Sequence, residues 1–173
     1  MTKQLVLGFA LVVLFGTPRT LRCQNESKEV AQVEIETTHA IPQVYVVLRL
    51  RTLDQQVFVP YCGEVEGGEK ILCTAGAHLQ VQTGQGWRPA KLRTRYGVLG
   101  AESLGRAEGS LIAPRSETSF GFEFSRLFFE VEPGQRLRVV IDAWPDMESM
   151  KAGRRSFQLT SPPFECPPTD TGQ

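Results

Sequence analysis

The stretch RLFFEVEPGQRLRVVIDAW (residues 126–144) decides how the chain is read. Apolar and charged residues alternate on both sides of Pro133-Gly134-Gln135. A period of two marks half-buried strands, and a Pro-Gly step between them marks a turn. With those three residues as the loop, Glu132 faces Arg136, Glu130 faces Arg138, Phe128 meets Val140 and Arg126 faces Asp142. On the opposite face Val131 meets Leu137, Phe129 meets Val139 and Leu127 meets Ile141. A slip of one residue would set Glu130 against Leu137 and Arg138 against Phe129, which moves charge onto the apolar face. Each matched cross-strand pair contributes about 0.2–1 kcal/mol. Full burial of a large apolar side chain contributes about 1.5–3 kcal/mol. The pattern therefore predicts a β-hairpin with one core face and one charged, solvated face. The loop chemistry runs against it, because a favoured three-residue hairpin loop carries its glycine late and Gly134 is central.

Working outward, the rest of the chain reads as short strands. VAQVEIE (30–36), QVYVVLRLRTL (43–53), QQVFVPYC (55–62), KILCTAGAHLQVQT (70–83) and SFGFEF (119–124) are rich in β-branched and aromatic residues. WRPAKLRTRYGVL (87–99) is weaker, and Pro89 suits an edge strand. RRSFQLT (154–160) fits a last strand. Residues 100–118 read as a long connection of small residues, and PDMESMKAG (145–153) as one short helix with Asp146 near its start and Gly153 past its end. Short strands between Gly/Pro-rich turns predict an all-β fold, an antiparallel β-sandwich of C2-like or immunoglobulin-like type.

The cysteines fit such a fold as a staple. In YCGEVEGGEKILC (61–73), Gly67-Gly68 as a two-residue turn sets Cys62 directly opposite Cys73, with a looser loop as the other geometry for the same bridge. Zinc needs four Cys or His ligands at close paired spacing. Here ten residues separate the two cysteines, and His39 and His78 stand alone. His78 reads as a strand residue. Cys23 and Cys166 remain. If Cys23 survives processing, the two can tie the ends of the domain together. If it does not, Cys166 is odd and a covalent dimer becomes available.

The N-terminus gives the compartment. Lys3 precedes the apolar run QLVLGFALVVLFG (4–16), the layout of a secretory signal peptide. Its end falls between residues 16 and 23, with cleavage after Gly16, Thr20 or Cys23, and RTLR (19–22) reads as a chance pair of arginines. The predicted organisation is a signal peptide over 1–22, a polar segment and first strand over 23–42, a β-sandwich over 43–166, and a disordered tail over 167–173. Asn25, in Asn25-Glu26-Ser27, is the one asparagine of the chain and heads a glycosylation sequon.

Composition narrows the function. The 173 residues carry 19 basic and 19 acidic side chains, without the basic excess of a nucleic-acid binder. Apolar residues make up 41% of the chain, enough for a real core. No nucleophile elbow, zinc-protease motif or phosphate-binding loop occurs, and GQGWRPAK (84–91) reads as a strand connection. Asp142, Asp146 and Glu148 could gather around calcium, but read better as surface acids.

FGFEF (120–124) and LRVVIDAW (137–144) together resemble the N-terminal C2-like domain of Notch ligands, an F-x-F strand followed by a strand ending in E-A-W. Phe122, Phe124, Ala143 and Trp144 are the matching positions, within residues 119–146. The resemblance implies a secreted β-sandwich. It carries no functional residue across, since the chain holds neither the cysteine-rich receptor-binding module nor the EGF repeats of that family. The expectation is thus a secreted, disulfide-stapled glycoprotein that binds an extracellular protein, without catalysis or cofactor. The alternative is a carrier of a small apolar ligand between the sheets.

Overall fold

The computed structural model describes residues 29–39, 44–65, 67–92, 108–125 and 129–168. The apolar segment read as a signal peptide, Cys23 and Asn25 lie outside them, as do residues 169–173. Among the described residues no helix is long and apolar enough to cross a membrane.

Alternation sorts the strands into layers. In β2 (Val44–Thr52), Val44, Val46, Leu48 and Leu50 are buried while Arg49 and Arg51 are exposed. The same rule places Phe120, Phe122 and Phe124 of β8 (Glu117–Phe124) in the core. The remaining strands of the first sheet are β1 (Ala31–His39), β3 (Val57–Glu64), β4 (Lys70–Leu72) and β7 (Glu108–Ile112). Their order is β1-β2-β8-β4-β3-β7. The second sheet has the order β10-β9-β5-β6, built from β5 (Ala77–Thr83), β6 (Gly86–Pro89), β9 (Arg136–Ala143) and β10 (Phe157–Thr160). A short β11 (Phe164–Glu165) pairs with β9 as well. The helix α1 (Met147–Lys151) starts at Asp146, whose carboxylate accepts the Ser149 N–H at 2.7 Å, a regular N-cap.

Leu48, Leu50, Phe120 and Phe122 of the first sheet face Leu79, Leu137, Val139 and Ile141 of the second, all at most 2% exposed. The fold is the expected β-sandwich, with one departure: β4 runs parallel to β8, with Ile71 beside Gly121. Pro89 ends the edge strand β6, where its missing N–H costs the sheet nothing.

The hairpin predicted over 126–144 does not form. The turn itself exists, since Gln135 N–H donates to Glu132 O at 3.1 Å. Past it, however, β9 has β5 on one side (Leu79 opposite Val139) and β10 with β11 on the other. Phe164 and Glu165 stand opposite Leu137 and Arg136, the places the hairpin gave to Val131 and Glu132. Phe129 bridges Leu92 instead, and Val131 sinks into the core at 1% exposure. Residues 126–128 lie outside the described residues. The physical reason is that β9 is buried on both faces at Val139, Val140 and Ile141. A strand so apolar needs a neighbour along each edge, and β5 and the C-terminal segment supply them more completely than a partner joined by a centrally placed glycine.

The connection read over 100–118 also hides a strand, β7. Gly109 permits it, because the Phe58 ring lies where a side chain would be: a methyl carbon at position 109 would meet Phe58 Cζ at 1.7 Å.

Candidate functional site

One backbone pair joins the two sheets: Phe58 of β3 and Trp144, just past β9, exchange hydrogen bonds. Along one seam β1 ends the first sheet and β10 ends the second. Between them lies a cleft of about 660 Å³, lined by residues 29–34 and 157–162.

Local sequence explains its character. In β1, Ala31 and Val33 turn into the core while Gln32, Glu34 and Glu36 stay exposed. In β10, Leu159 is buried and Phe157 packs against the core. The floor of the cleft is therefore apolar and its rim polar, with Glu29, Glu34, Gln158 and Thr160 on it. The lining includes two acids and no base. Neither Glu29 nor Glu34 has a hydrogen-bond or ion-pair partner among the described residues. Arg49 stands opposite Glu34 in the ladder but pairs with Glu36. Ser119 Oγ donates to the other oxygen of Glu36 at 2.7 Å, and this bond, with Arg49, holds that carboxylate below its ordinary range.

Below the cleft the C-terminal segment is laced to β9. Ser161 N–H donates to Val139 O at 2.9 Å, and its hydroxyl accepts the Val139 N–H at 3.0 Å. This carries the ladder past Pro162 and Pro163, which have no N–H to give. Cys166 N–H donates to Gln135 O and Gly134 N–H to Cys166 O, both at 2.8 Å. Cys166 itself is buried.

Cys62 and Cys73 are joined in a disulfide, with their Cα atoms 5.0 Å apart. The register differs from the expected one. Glu64 faces Lys70 and Tyr61 faces Leu72, with an irregularity between Tyr61 and Gly63 that places Cys62 in a bulge. Val65 N–H donates to Glu69 O and Gly68 N–H to Val65 O, which closes the loop between Val65 and Glu69. This is the looser loop, with positive φ at Gly67 and Gly68 absorbing the turn. Cys73 also marks where the chain changes sheets, since Gly76 and Ala77 both donate to Cys73 O. The run 70–83, read as one stretch, is thus two strands in two layers.

A polar cluster surrounds this hairpin. Tyr45 Oη donates to Glu69 at 2.5 Å, Tyr61 Oη to Glu108 at 2.7 Å, and Lys70 Nζ to Ser110 Oγ at 2.9 Å beneath the Tyr61 ring. These bonds tie the stapled loop to β2 and β7. On the second sheet Arg138 stacks on Trp87 at 4.4 Å and donates to Gln80 Oε1, so it is engaged within its own face and not with Glu130. His78 is a β5 residue beside Gln80. Asp142 accepts from Ser156 and Gln158, apart from Asp146 at the helix cap. Among the described residues no group of three His, Cys, Asp or Glu side chains converges as a metal site.

The cleft was not among the sequence-level candidates. The strict alternation of AQVEIE (31–36) marks a strand, but which strands end a sheet is decided far away in the chain.

No family model matches the chain. No curated protein matches it either. Among solved structures, the chain is similar to a Northeast Structural Genomics Consortium target, SoR45, at 10% identity and a TM-score of 0.37 over 83% of this chain and 87% of that one.

Proposed function

We propose that the protein is a secreted glycoprotein that works by binding an extracellular protein, with no catalytic step. The observation that carries this reading is the open seam, where two sheet edges flank one cleft with an apolar floor and an acidic rim. Unpaired edges offer backbone donors and acceptors that a partner can use. The Cys62–Cys73 bridge supports an oxidising compartment, and the apolar run over 4–16 and the Asn25 sequon support export. The C2-like resemblance around Phe122 and Trp144 points the same way, with no receptor implied.

The test begins with expression through a secretory pathway and intact mass measured with and without reductant. Signal removal, a glycan on Asn25 and an oxidised Cys62–Cys73 pair are expected. The secreted chain is then applied to an array of purified ectodomains and matrix proteins. An unprocessed chain held inside the cell, or no saturable partner, defeats the reading.

A second reading has its own observation. A cleft of about 660 Å³ falls within the usual size of small-ligand sites. A carrier would retain a lipid-sized mass under native mass spectrometry, and lose it on Leu159→Lys.

A further inference from the structure

We infer that the open seam takes an extended peptide segment of the protein partner, one that alternates basic and apolar side chains and adds to β1 as an extra strand. This rests on the binding-module reading and specifies the chemistry of its partner.

The backbone directions carry the first step. Leu53 N–H donates to Val30 O, which fixes the phase of the β1–β2 ladder. In an antiparallel pair, alternate residues send both backbone groups to the partner. Gln32 and Glu34 therefore share the phase of Val30 and face β2, and Ala31, Val33 and Ile35 send theirs outward. The same reasoning on β10 starts from Ser161 N–H, which donates to Val139 O. It turns the backbone groups of Gln158 and Thr160 outward. The outward groups of β1 form a template for one more strand.

The length is bounded. The ladder is regular from Ala31 to Ile35, then shifts register between Ile35 and Thr37. A bulge of this kind ends pairing along an edge. Before it, β1 carries neither lysine nor proline, two residues that commonly block an edge.

Side chains then specify the partner. An added strand shares the faces of its neighbour. Its inward residues would rest on Ala31, Val33 and Leu159, so they are apolar. Its outward residues would pass Glu34, and its end would pass Glu29 just before β1. The cleft lining sets no base beside either acid, and Arg49 opposite Glu34 is taken by Glu36, so the outward residues are basic. A second copy of β1 is the poorer occupant, because it brings the same acids with it.

The experiment uses the full secreted chain and a capped, labelled octapeptide alternating lysine and valine. Fluorescence anisotropy should show saturable binding that weakens with salt, and hydrogen exchange should slow at the Ala31 and Val33 amides. A glutamate–valine octapeptide should not bind. The double variant Glu29→Lys, Glu34→Lys should weaken binding about ten-fold or more. Val33→Pro removes one outward N–H but no bond to β2, so it should abolish binding. Because Val33 also packs in the core, its melting temperature should fall, and binding is read at a temperature where circular dichroism shows the variant folded. If that variant fails to fold, the charge variant decides. Equal binding of the acidic peptide, or unaltered binding by the charge variant, overturns the inference. So does a dimer of the free protein that Glu29→Lys, Glu34→Lys strengthens. If a partner ectodomain engages wild type and the charge variant alike, this inference fails and the binding-module reading stands. If no ectodomain engages either, both fail.

Discussion

Phe58 N–H donates to Trp144 O at 2.7 Å and Trp144 N–H returns to Phe58 O at 3.0 Å, so one backbone pair joins the two sheets. The indole N–H of Trp144 reaches Arg154 O at 3.0 Å, and both rings are buried. Trp144→Ala should remove the wedge at this seam and destabilise by about 3–5 kcal/mol. Urea unfolding followed by circular dichroism measures it. A loss below about 1 kcal/mol would mean the seam closes without the side chain.

Gly109 lies under the Phe58 ring, and an added methyl would overlap it at Cζ, Cε2 and Cε1. Gly109→Ala should cost about 1–3 kcal/mol through overpacking. Adding Phe58→Leu should recover part of that cost, a non-additive pair in a double-mutant cycle. Strict additivity would place the strain elsewhere.

The Cys62–Cys73 bridge spans a sequence separation of 11. Chain-entropy reasoning gives it roughly 3 kcal/mol at most. Cys62→Ser with Cys73→Ser should lower the urea midpoint without changing the circular dichroism spectrum. Because Cys73 sits where the chain changes sheets, hydrogen exchange should quicken in both β4 and the start of β5.

Ser161→Ala deletes the acceptor for the buried Val139 N–H. An unsatisfied buried donor costs about 1–3 kcal/mol. The Val139 amide should lose hydrogen-exchange protection, while the β5 side of the ladder keeps its own. Unchanged protection at Val139 would show that another acceptor replaces the hydroxyl.

Burial, followed by the bond to Glu69, pushes the Tyr45 hydroxyl well above the ordinary tyrosine range. An unfolded tyrosine ionises near pH 10. Above that pH the unfolded chain has lost a proton that the folded chain keeps, so stability is full below about pH 10 and falls as pH rises. Tyr61, held by Glu108 and pushed up to about 12, adds a slope of the same sign. Tyr45→Phe should therefore flatten the decline between pH 9 and 11 only in part. Urea midpoints across that interval test this, and an unchanged slope would rule Tyr45 out as its source.

Much of this fold can be read from alternation. β2, β8 and β10 are strands because their apolar residues recur at every second position, and Asp146 with Gly153 frames α1. Other features depend on distant choices. The Cys62–Cys73 bridge was legible, but its register was not, since the bulge at Cys62 has no local signal. The partners of β9 were misread because a strand apolar on both faces accepts several neighbours, and Leu79, Val131 and Phe164 all satisfy its period. β7 was hidden because its small residues suit the Phe58 ring more than they suit a strand. The cleft could not be read because nothing in residues 29–34 says that, among the described residues, β1 ends its sheet.

The lacing of Ser161 to Cys166 along β9 also sets an order of events during synthesis. β9 holds the middle of the second sheet, yet Leu137 has no neighbour on one edge until Phe164 has left the ribosome. The nascent second layer must wait with an apolar edge exposed, which invites chaperone binding. Pulse-labelled exchange should then find β5 and β9 protected together, and only after residues 161–166 are in place.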